Sequence, residues 1–368
     1  MIEKLWVKQF RNFDEFFLDF NHRKCIFIFG ENNQGKTNFL EAIYFLANAS
    51  SPIDSKIQHL IPFNKQESHL ALEYHSENTP SKIFFTLFSN GDKRGSINGK
   101  KVVSPSSLRR KVNIEYISSD IIRIFQDGPE KRRFFLNKIA SVYFHDYYPL
   151  YRKLEHILKQ KNFELKTKKN KESIALWNEQ LVLISKKIIE KRFQILMELK
   201  NQMEHWCRDM FEFFQTLSLS YHFSGLDMRD GFNEDIYVNQ FTQKLKASFE
   251  LELKCGHALS GPHRDDFIVE MNNQNLSLFY SRGINRTMAC LLHGATLFLL
   301  KKQYGSFPVL LLDDAFSEVD SLYKKKLFHL FGCYTQFFYT SVLEQEKHLL
   351  QDPLVIRIQK GVPIFEKN

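Results

Sequence analysis

One octapeptide constrains this chain more than any other feature in it. Gly30-Glu31-Asn32-Asn33-Gln34-Gly35-Lys36-Thr37 satisfies G-x-x-x-x-G-K-[ST] at every fixed position. The short apolar run Ile26–Phe29 precedes it, as a buried strand requires. Lys36–Ala49 follows, with Phe39, Leu40, Ile43 and Leu46 at helical spacing. In a strand–loop–helix unit of this kind, glycines let successive backbone N–H groups form one anion-binding nest at a helix N-terminus. The expected ligand is ATP. Gly30, Glu31, Asn32, Asn33, Gln34, Gly35, Lys36, Thr37 and the next residue, Asn38, are the expected contacts. Lys36 neutralises charge on the β- and γ-phosphates in this scheme, and the Thr37 hydroxyl ligates Mg²⁺.

Length and composition set the frame. At 368 residues, with 43% hydrophobic and 25% charged residues, the chain is long enough for two lobes. The 51 Lys+Arg against 42 Asp+Glu leave +9, a balance that favours a polyanion such as nucleic acid without proving one. Cys25, Cys207, Cys255, Cys290 and Cys333 are scattered, so neither a disulfide framework nor a metal cluster is expected. The amino terminus MIEKLWVKQF carries charges within any apolar run and is no signal peptide. Thr287–Leu300 is broken by His293 and is too short to span a bilayer. A cytoplasmic protein with no membrane partner is expected.

The pattern along the chain is α/β interrupted by a helical block. Leu70–Tyr74, Lys82–Phe88 and Gly95–Val103 read as a meander, with Asn90-Gly91 and Asn98-Gly99 as hairpin turns. From about Ser118 to Gly256 the chain is rich in Lys, Leu, Glu, Gln and Phe, which reads as helices. Tyr151–Lys169 and Ser173–Trp206 are the longest candidates. Strand patterns return at Asp266–Met271, Phe307–Leu312, Phe337–Tyr339 and Leu354–Ile358, with a helix at Thr287–Gln303. The expected division is residues 1–118 and 300–368 as one ATPase lobe, and residues 119–299 as a mainly helical second lobe. No heptad is sustained long enough for an extended coiled coil.

Further motifs complete a nucleotide-hydrolysing set. Val309-Leu310-Leu311-Leu312-Asp313-Asp314 has the form of a Walker B strand. Asp313 at its end would hold Mg²⁺, and Asp314 would polarise the attacking water as a general base or as an orienting acceptor, with Lys36 as the other catalytic residue. Any buried strand can end in Asp; the P-loop gives this one its meaning. Tyr280-Ser281-Arg282-Gly283-Ile284-Asn285-Arg286 opens an apolar helix and resembles the ABC signature, in which a serine and a glycine grip a nucleotide held by another subunit. Ile284 and Asn285 stand where an acid and a glutamine are usual, and a plain Ser cap is the competing reading. Asp314–Asp320 continues like a D-loop. Thr340 occupies the place of a switch histidine, and no Q-loop glutamine is obvious, with Asp120 and Gln126 as the nearest candidates.

These elements narrow to a family when three more segments are added: Phe10-Arg11-Asn12-Phe13, Gly128-Pro129-Glu130-Lys131-Arg132-Arg133-Phe134 and Ser260-Gly261-Pro262-His263-Arg264-Asp265-Asp266. From about Trp6 to Thr340 the chain resembles the RecF family of bacterial recombination and replication-repair ATPases. The resemblance implies an ABC-type ATPase head, like those of SMC and Rad50 proteins but without their long coiled coils. It further implies an ATP-dependent homodimer, binding to single-stranded, duplex and gapped DNA, weak ATP hydrolysis, and action with RecR and RecO in loading RecA. By the same resemblance Arg11 lies near the nucleotide, and Ser281 and Gly283 reach the partner's γ-phosphate.

Other readings compete. An ABC transport-type ATPase subunit predicts a shorter span between Lys36 and Asp313, and a P-loop kinase has no use for Ser281–Gly283. The His263-Arg264-Asp265 triplet superficially matches a kinase catalytic loop but lacks the companion motifs, and a local ion-pair cluster is its plain alternative. The basic residues Arg152, Lys153, Lys159, Lys161, Lys166, Lys168, Lys169 and Lys171 are the sequence's best candidates for phosphate contact, against the reading of a solvated loop.

Overall fold

The computed structural model describes residues 1–366 apart from 77–78, 103–107, 109–111, 168–169 and 225–231. Val103, Lys168 and Lys169, named above, therefore lie outside the described residues. In chain order the strands are β1 (Ile2–Phe10), β2 (Phe13–Asp19), β3 (Cys25–Phe29), β4 (Glu67–Ser76), β5 (Thr79–Phe88), β6 (Lys93–Ile97), β7 (Lys100–Lys101) and β8 (Ile114–Ser118). They continue as β9 (Leu217–His222), β10 (Asp266–Met271), β11 (Gln274–Asn275), β12 (Val309–Asp313), β13 (Phe337–Ser341), β14 (Leu354–Gln359) and β15 (Val362–Phe365).

The chain divides into two compact units: Met1–Ile121 with Arg282–Asn368, and Ile122–Ser281. The first boundary falls close to the one read from sequence. The second falls between Ser281 and Arg282 rather than between 299 and 300, because the helix Arg282–Tyr304 packs within the first unit. There it touches β8 and the helix Ser321–Tyr334.

The first unit holds two sheets. One runs β2-β1-β4-β5-β6-β7 and is antiparallel throughout. The other runs β15-β14-β3-β13-β12-β8, parallel except where β15 turns back on β14. Every residue of β3, β12 and β13 is buried, as a parallel sheet covered on both faces requires. The helix Lys36–Asn48 packs against strands of both sheets. Phe39, Leu40, Ala42, Ile43, Phe45 and Leu46 accordingly have no exposed surface. A helix apolar on nearly all sides belongs in such a place, and each large side chain buried there contributes about 1.5–3 kcal/mol. Gly99 and Asn98, both at positive φ, make the tight turn that the sequence predicts between β6 and β7.

The second unit is mainly helical, with one correction to the sequence reading. β9 interrupts the presumed all-helical block and pairs antiparallel with β10, which pairs with β11. Leu217, Leu219 and Tyr221 alternate inward along it, a period-two signal too short to stand out beside its helical flanks. The longest helix, Lys171–Met210, starts at Asn170, whose side chain accepts from the backbone N–H groups of Glu172 and Ser173.

Arg192 on that helix is fully buried and binds four neighbours. Nε donates to the Tyr147 hydroxyl at 3.0 Å, NH2 to Asn137 Oδ1 at 2.8 Å, and NH1 to the Tyr221 hydroxyl at 2.9 Å and the Pro262 carbonyl at 2.8 Å. The Tyr221 hydroxyl in turn donates to Asp265 Oδ2 at 2.8 Å. Arg132 grips Asp266 with two hydrogen bonds, at 2.7 and 2.9 Å, and Arg133 donates to the Asp265 carbonyl at 2.7 Å. The segments Gly128–Phe134 and Ser260–Asp266 are thus partners, and their acids and arginines hold this unit together. The local ion-pair reading of the second segment needs correction: Asp266 pairs with Arg132 of the other segment and Asp265 accepts from Tyr221 and the Ser224 N–H, while Arg264 is exposed. Among the described residues no helix is long and apolar enough to cross a membrane.

Candidate nucleotide site

The loop between β3 and its helix is shaped by contacts that exclude side chains. A Cβ on Gly30 would lie 2.4 Å from the Ile358 carbonyl oxygen, and one on Gly35 would lie 2.6 Å from Asn12 Nδ2. Gly35 also takes φ 114°, which disfavours other residues. Gly30 is therefore dictated by backbone crowding and Gly35 chiefly by its positive φ. Glu31, Asn32 and Asn33 are exposed on the loop's outer side. Lys36 Nζ donates to the carbonyls of Gly30 at 2.7 Å and Glu31 at 2.8 Å, so the ammonium lies across the loop. Burial pulls its pKa below the ordinary lysine value, while Asp314 and Asp313 pull it back.

β12 lies one strand away from β3, with β13 between them, and its end faces the loop. Thr37 Oγ1 donates to Asp313 Oδ1 at 3.1 Å. The Thr340 hydroxyl, at the end of β13, reaches the same oxygen at 2.9 Å and accepts from the Asp314 N–H at 3.0 Å. The other oxygen of Asp313 accepts from the Tyr116 hydroxyl on β8 at 2.7 Å. Burial first, and then the Asp313 carboxylate, hold the Tyr116 phenol protonated well beyond its usual range. Asp314 takes a positive φ of 48°. Its carboxyl is pushed above the ordinary aspartate value, first by burial and then by Asp313, with Arg286 opposing. A hydroxyl and a carboxylate oxygen converging at one point form the oxygen-donor set that suits a hard divalent cation.

The remaining predicted residues are placed as follows. Arg11 does not present open donors to the loop. Its Nε and NH2 clamp the buried Glu41 at 2.8 Å each, and NH1 donates to the His59 carbonyl at 2.9 Å. Its neighbour Asn12 holds the loop instead, donating to the Gln34 carbonyl at 2.8 Å and accepting from Asn38 Nδ2 at 2.8 Å. Ser281 is exposed and immediately precedes the helix Arg282–Tyr304. Gly283 lies against the D-loop, where a Cβ would meet the Glu318 carbonyl at 2.9 Å. One turn along, the buried Arg286 donates to the Ser317 carbonyl at 2.7 Å and to its hydroxyl, and pairs with Glu318 at 3.5 Å. The signature helix and the D-loop are thereby one assembly within the chain.

Sequence reasoning missed Asn12, Tyr116 and Arg286 as supports of the site. Asn12 and Arg286 stood inside quoted motifs. Tyr116 carried no local signal, since its partner is far away in the chain.

Residues 1–361 match the family model described as RecF/RecN/SMC N terminal domain. A protein of Clostridium acetobutylicum named DNA replication and repair protein RecF is 31% identical over 98% of this chain and 98% of its own length. Its namesake in Halothermothrix orenii is 32% identical over 92% of each. The chain belongs to the RecF family. A solved structure of the recombination mediator protein RecF-ATP in the RecFOR pathway superposes with a TM-score of 0.78 at 28% identity, covering 100% of this chain and 97% of the other. An Smc head bound to the C-winged helix domain of ScpA superposes at 0.60 with 14% identity, a likeness of fold alone. An ABC-type ATPase head is thus the fold of this RecF-family chain, and the transport-subunit reading loses its support.

Proposed function

We propose that this chain is an ATP-dependent DNA-binding protein of recombinational repair and replication, acting in the cytoplasm. In this reading it dimerises on ATP, marks gapped DNA, and with RecR and RecO helps to load RecA. The observation that carries the nucleotide part is the convergence of Lys36, Thr37, Asp313, Asp314 and Thr340 at the ends of β3, β12 and β13. The DNA part rests on what the relatives are named.

Within the site, Gly30–Asn38 cradle the triphosphate and Lys36 moves from the loop carbonyls to the β- and γ-phosphates. Thr37 and Asp313 would hold Mg²⁺, which neutralises charge on the same phosphates. Asp314, with its raised pKa, accepts from the attacking water, and hydrolysis is slow and times release from DNA. Arg11 lies near the nucleotide but acts through Glu41. Gly283, which lies against the D-loop beside Arg286, and Ser281 just before it contact the γ-phosphate held by a second copy. ATP binding and dimerisation then share one equilibrium, so nucleotide state sets DNA affinity. Exposed Arg152, Lys153, Lys159, Lys166 and Lys171 remain as phosphate contacts.

Light scattering with and without ATP, followed by gel shifts on gapped, duplex and single-stranded DNA, tests the reading. A chain that stays monomeric at every ATP concentration sinks it. Lys36→Ala should lose nucleotide binding. Ser281→Arg should bind ATP and remain monomeric, and Asp314→Asn should bind ATP and accumulate as dimer.

A further inference from the structure

The C-terminal hairpin meets the nucleotide loop at two points and Asn12, which also binds the loop, at a third. The Ile358 carbonyl closes over Gly30, where a Cβ would come within 2.4 Å of its oxygen. The Lys360 N–H donates to the side-chain oxygen of Gln34. Gly361 packs on Asn12, whose carbonyl oxygen a Cβ there would approach to 2.4 Å. Asn12 passes the contact on, since its amide donates to the Gln34 carbonyl at 2.8 Å. Gln34 is therefore held by both of its carbonyl groups, one from each end of the chain.

The turn itself gives an independent sign. Gln359 pairs with Val362, so Lys360 and Gly361 form a two-residue hairpin loop, with φ of 49° and 74°. Such loops favour Asn, Asp or Gly at their first position, and a lysine there sits in a left-handed conformation that side chains with a Cβ disfavour. The strained backbone aims its N–H at the loop.

We propose that the turn Lys360–Gly361 is a positioning element of the nucleotide loop, acting on it through Gln34 and Asn12. An anion nest binds well only if its N–H groups already converge, and fixing a loop residue costs conformational entropy. The turn meets part of that cost before the nucleotide arrives, so its contacts appear as nucleotide affinity. Gln34 is then a strut, and its side chain is directed away from the phosphates toward Lys360. This inference rests on the loop being a nucleotide site.

The test is a double-mutant cycle on the full chain, read by binding of a fluorescent ATP analogue. Gln34→Ala removes the acceptor, and Gly361→Ala drives a methyl group into the Asn12 carbonyl. Each should raise Kd roughly five- to tenfold, the scale of one lost hydrogen bond. The double variant should be no weaker than the worse single one. Hydrogen exchange across residues 30–37 should quicken in all three, with the second unit unchanged. Lys360→Gly keeps the N–H and relieves the strain, and should bind as the parent does. If Gly361→Ala does not fold, a glycine inserted between Lys360 and Gly361 serves in its place. Unchanged Kd in the single variants, or effects that multiply in the double, would overturn the proposal. Lys36→Ala is the separate arm: analogue binding at parental strength there removes the nucleotide reading itself.

Discussion

The Tyr116 hydroxyl donates to Asp313 Oδ2 at 2.7 Å, while Oδ1 of the same carboxylate takes the hydroxyls of Thr37 and Thr340. The acid is thus locked about its own axis with Oδ1 turned to the P-loop. Tyr116→Phe removes the lock and leaves the ring packing of Tyr116 beside Tyr44 in place. In the proposed site, where Thr37 and Asp313 would hold Mg²⁺, half-saturation of nucleotide binding by Mg²⁺ should rise roughly ten- to a hundredfold, the scale of one hydrogen bond that orients a charged ligand. Nucleotide affinity in EDTA should not change. A variant with the parental Mg²⁺ titration would show that Tyr116 does not orient the acid.

Arg286 joins two elements that the proposed dimerisation would need together. Its guanidinium is buried and bound to Ser317 and Glu318, so Arg286→Ala unlatches the signature helix from the D-loop. The expected loss is about 1–3 kcal/mol of folding stability, measured by urea denaturation. ATP binding by the single chain should persist, whereas ATP-dependent association should fall at least tenfold by light scattering. Arg286 also restrains the Asp314 carboxyl, so its removal should raise the Asp314 pKa further. Association at parental strength in a folded Arg286→Ala protein would separate the signature from the dimer.

What could be read from sequence follows contact distance along the chain. Lys36 and Thr37 are adjacent to the glycines that shape their loop, and Asp313 and Asp314 cap a run of four apolar residues, so spacing alone located them. Thr340 could be placed because a strand pattern preceded it. Asn12, Tyr116 and Lys360 act on Gln34 and Asp313 from distant segments, and only the folded sheet brings them in. The lobe boundary failed for a related reason: the helix Arg282–Tyr304 is apolar enough to suit either unit, and its neighbours decide. β9 failed because six residues of alternation are outweighed by the long helices around them.

Lys161 shows how a charge pattern misleads. Counted as a candidate for phosphate contact, it lies instead on the buried side of the helix Tyr147–Lys166, with its Nζ 2.7 Å from Glu252 Oε2 and both side chains fully buried. Burial lowers its pKa, and Glu252 opposes the shift. Glu252 also accepts from the Leu259 N–H at 2.9 Å. Lys161→Ala strands a buried carboxylate and should cost about 3–5 kcal/mol in urea denaturation. Lys161→Met with Glu252→Gln removes both charges, keeps the Leu259 acceptor and should recover most of that loss. DNA affinity of this double variant should equal the parent's, while Lys153→Glu with Lys159→Glu should weaken it. A specific loss of DNA binding in the folded double variant would restore Lys161 to the interface.

His263 gives the second unit a defined sensitivity to acid. Burial is the main cause that lowers its pKa to about 4. Arg264, Lys161 and Arg133 push the same way, and the bond to the Ala258 carbonyl opposes them. The unfolded chain takes up the proton near pH 6.5, the ordinary histidine value, and the folded chain resists until about pH 4. Between those limits the unfolded state binds more protons, so stability is full above the upper limit and falls as the pH drops through the window. At about pH 5 the loss attributable to this one group should be about 2 kcal/mol. His263→Leu forfeits the Ala258 bond at every pH, which lowers the whole curve, but it removes this slope. Urea denaturation at about pH 5 and pH 7 should therefore show a smaller difference for His263→Leu than for the parent. Equal differences in the two proteins would mean that the imidazole is already charged in the folded chain.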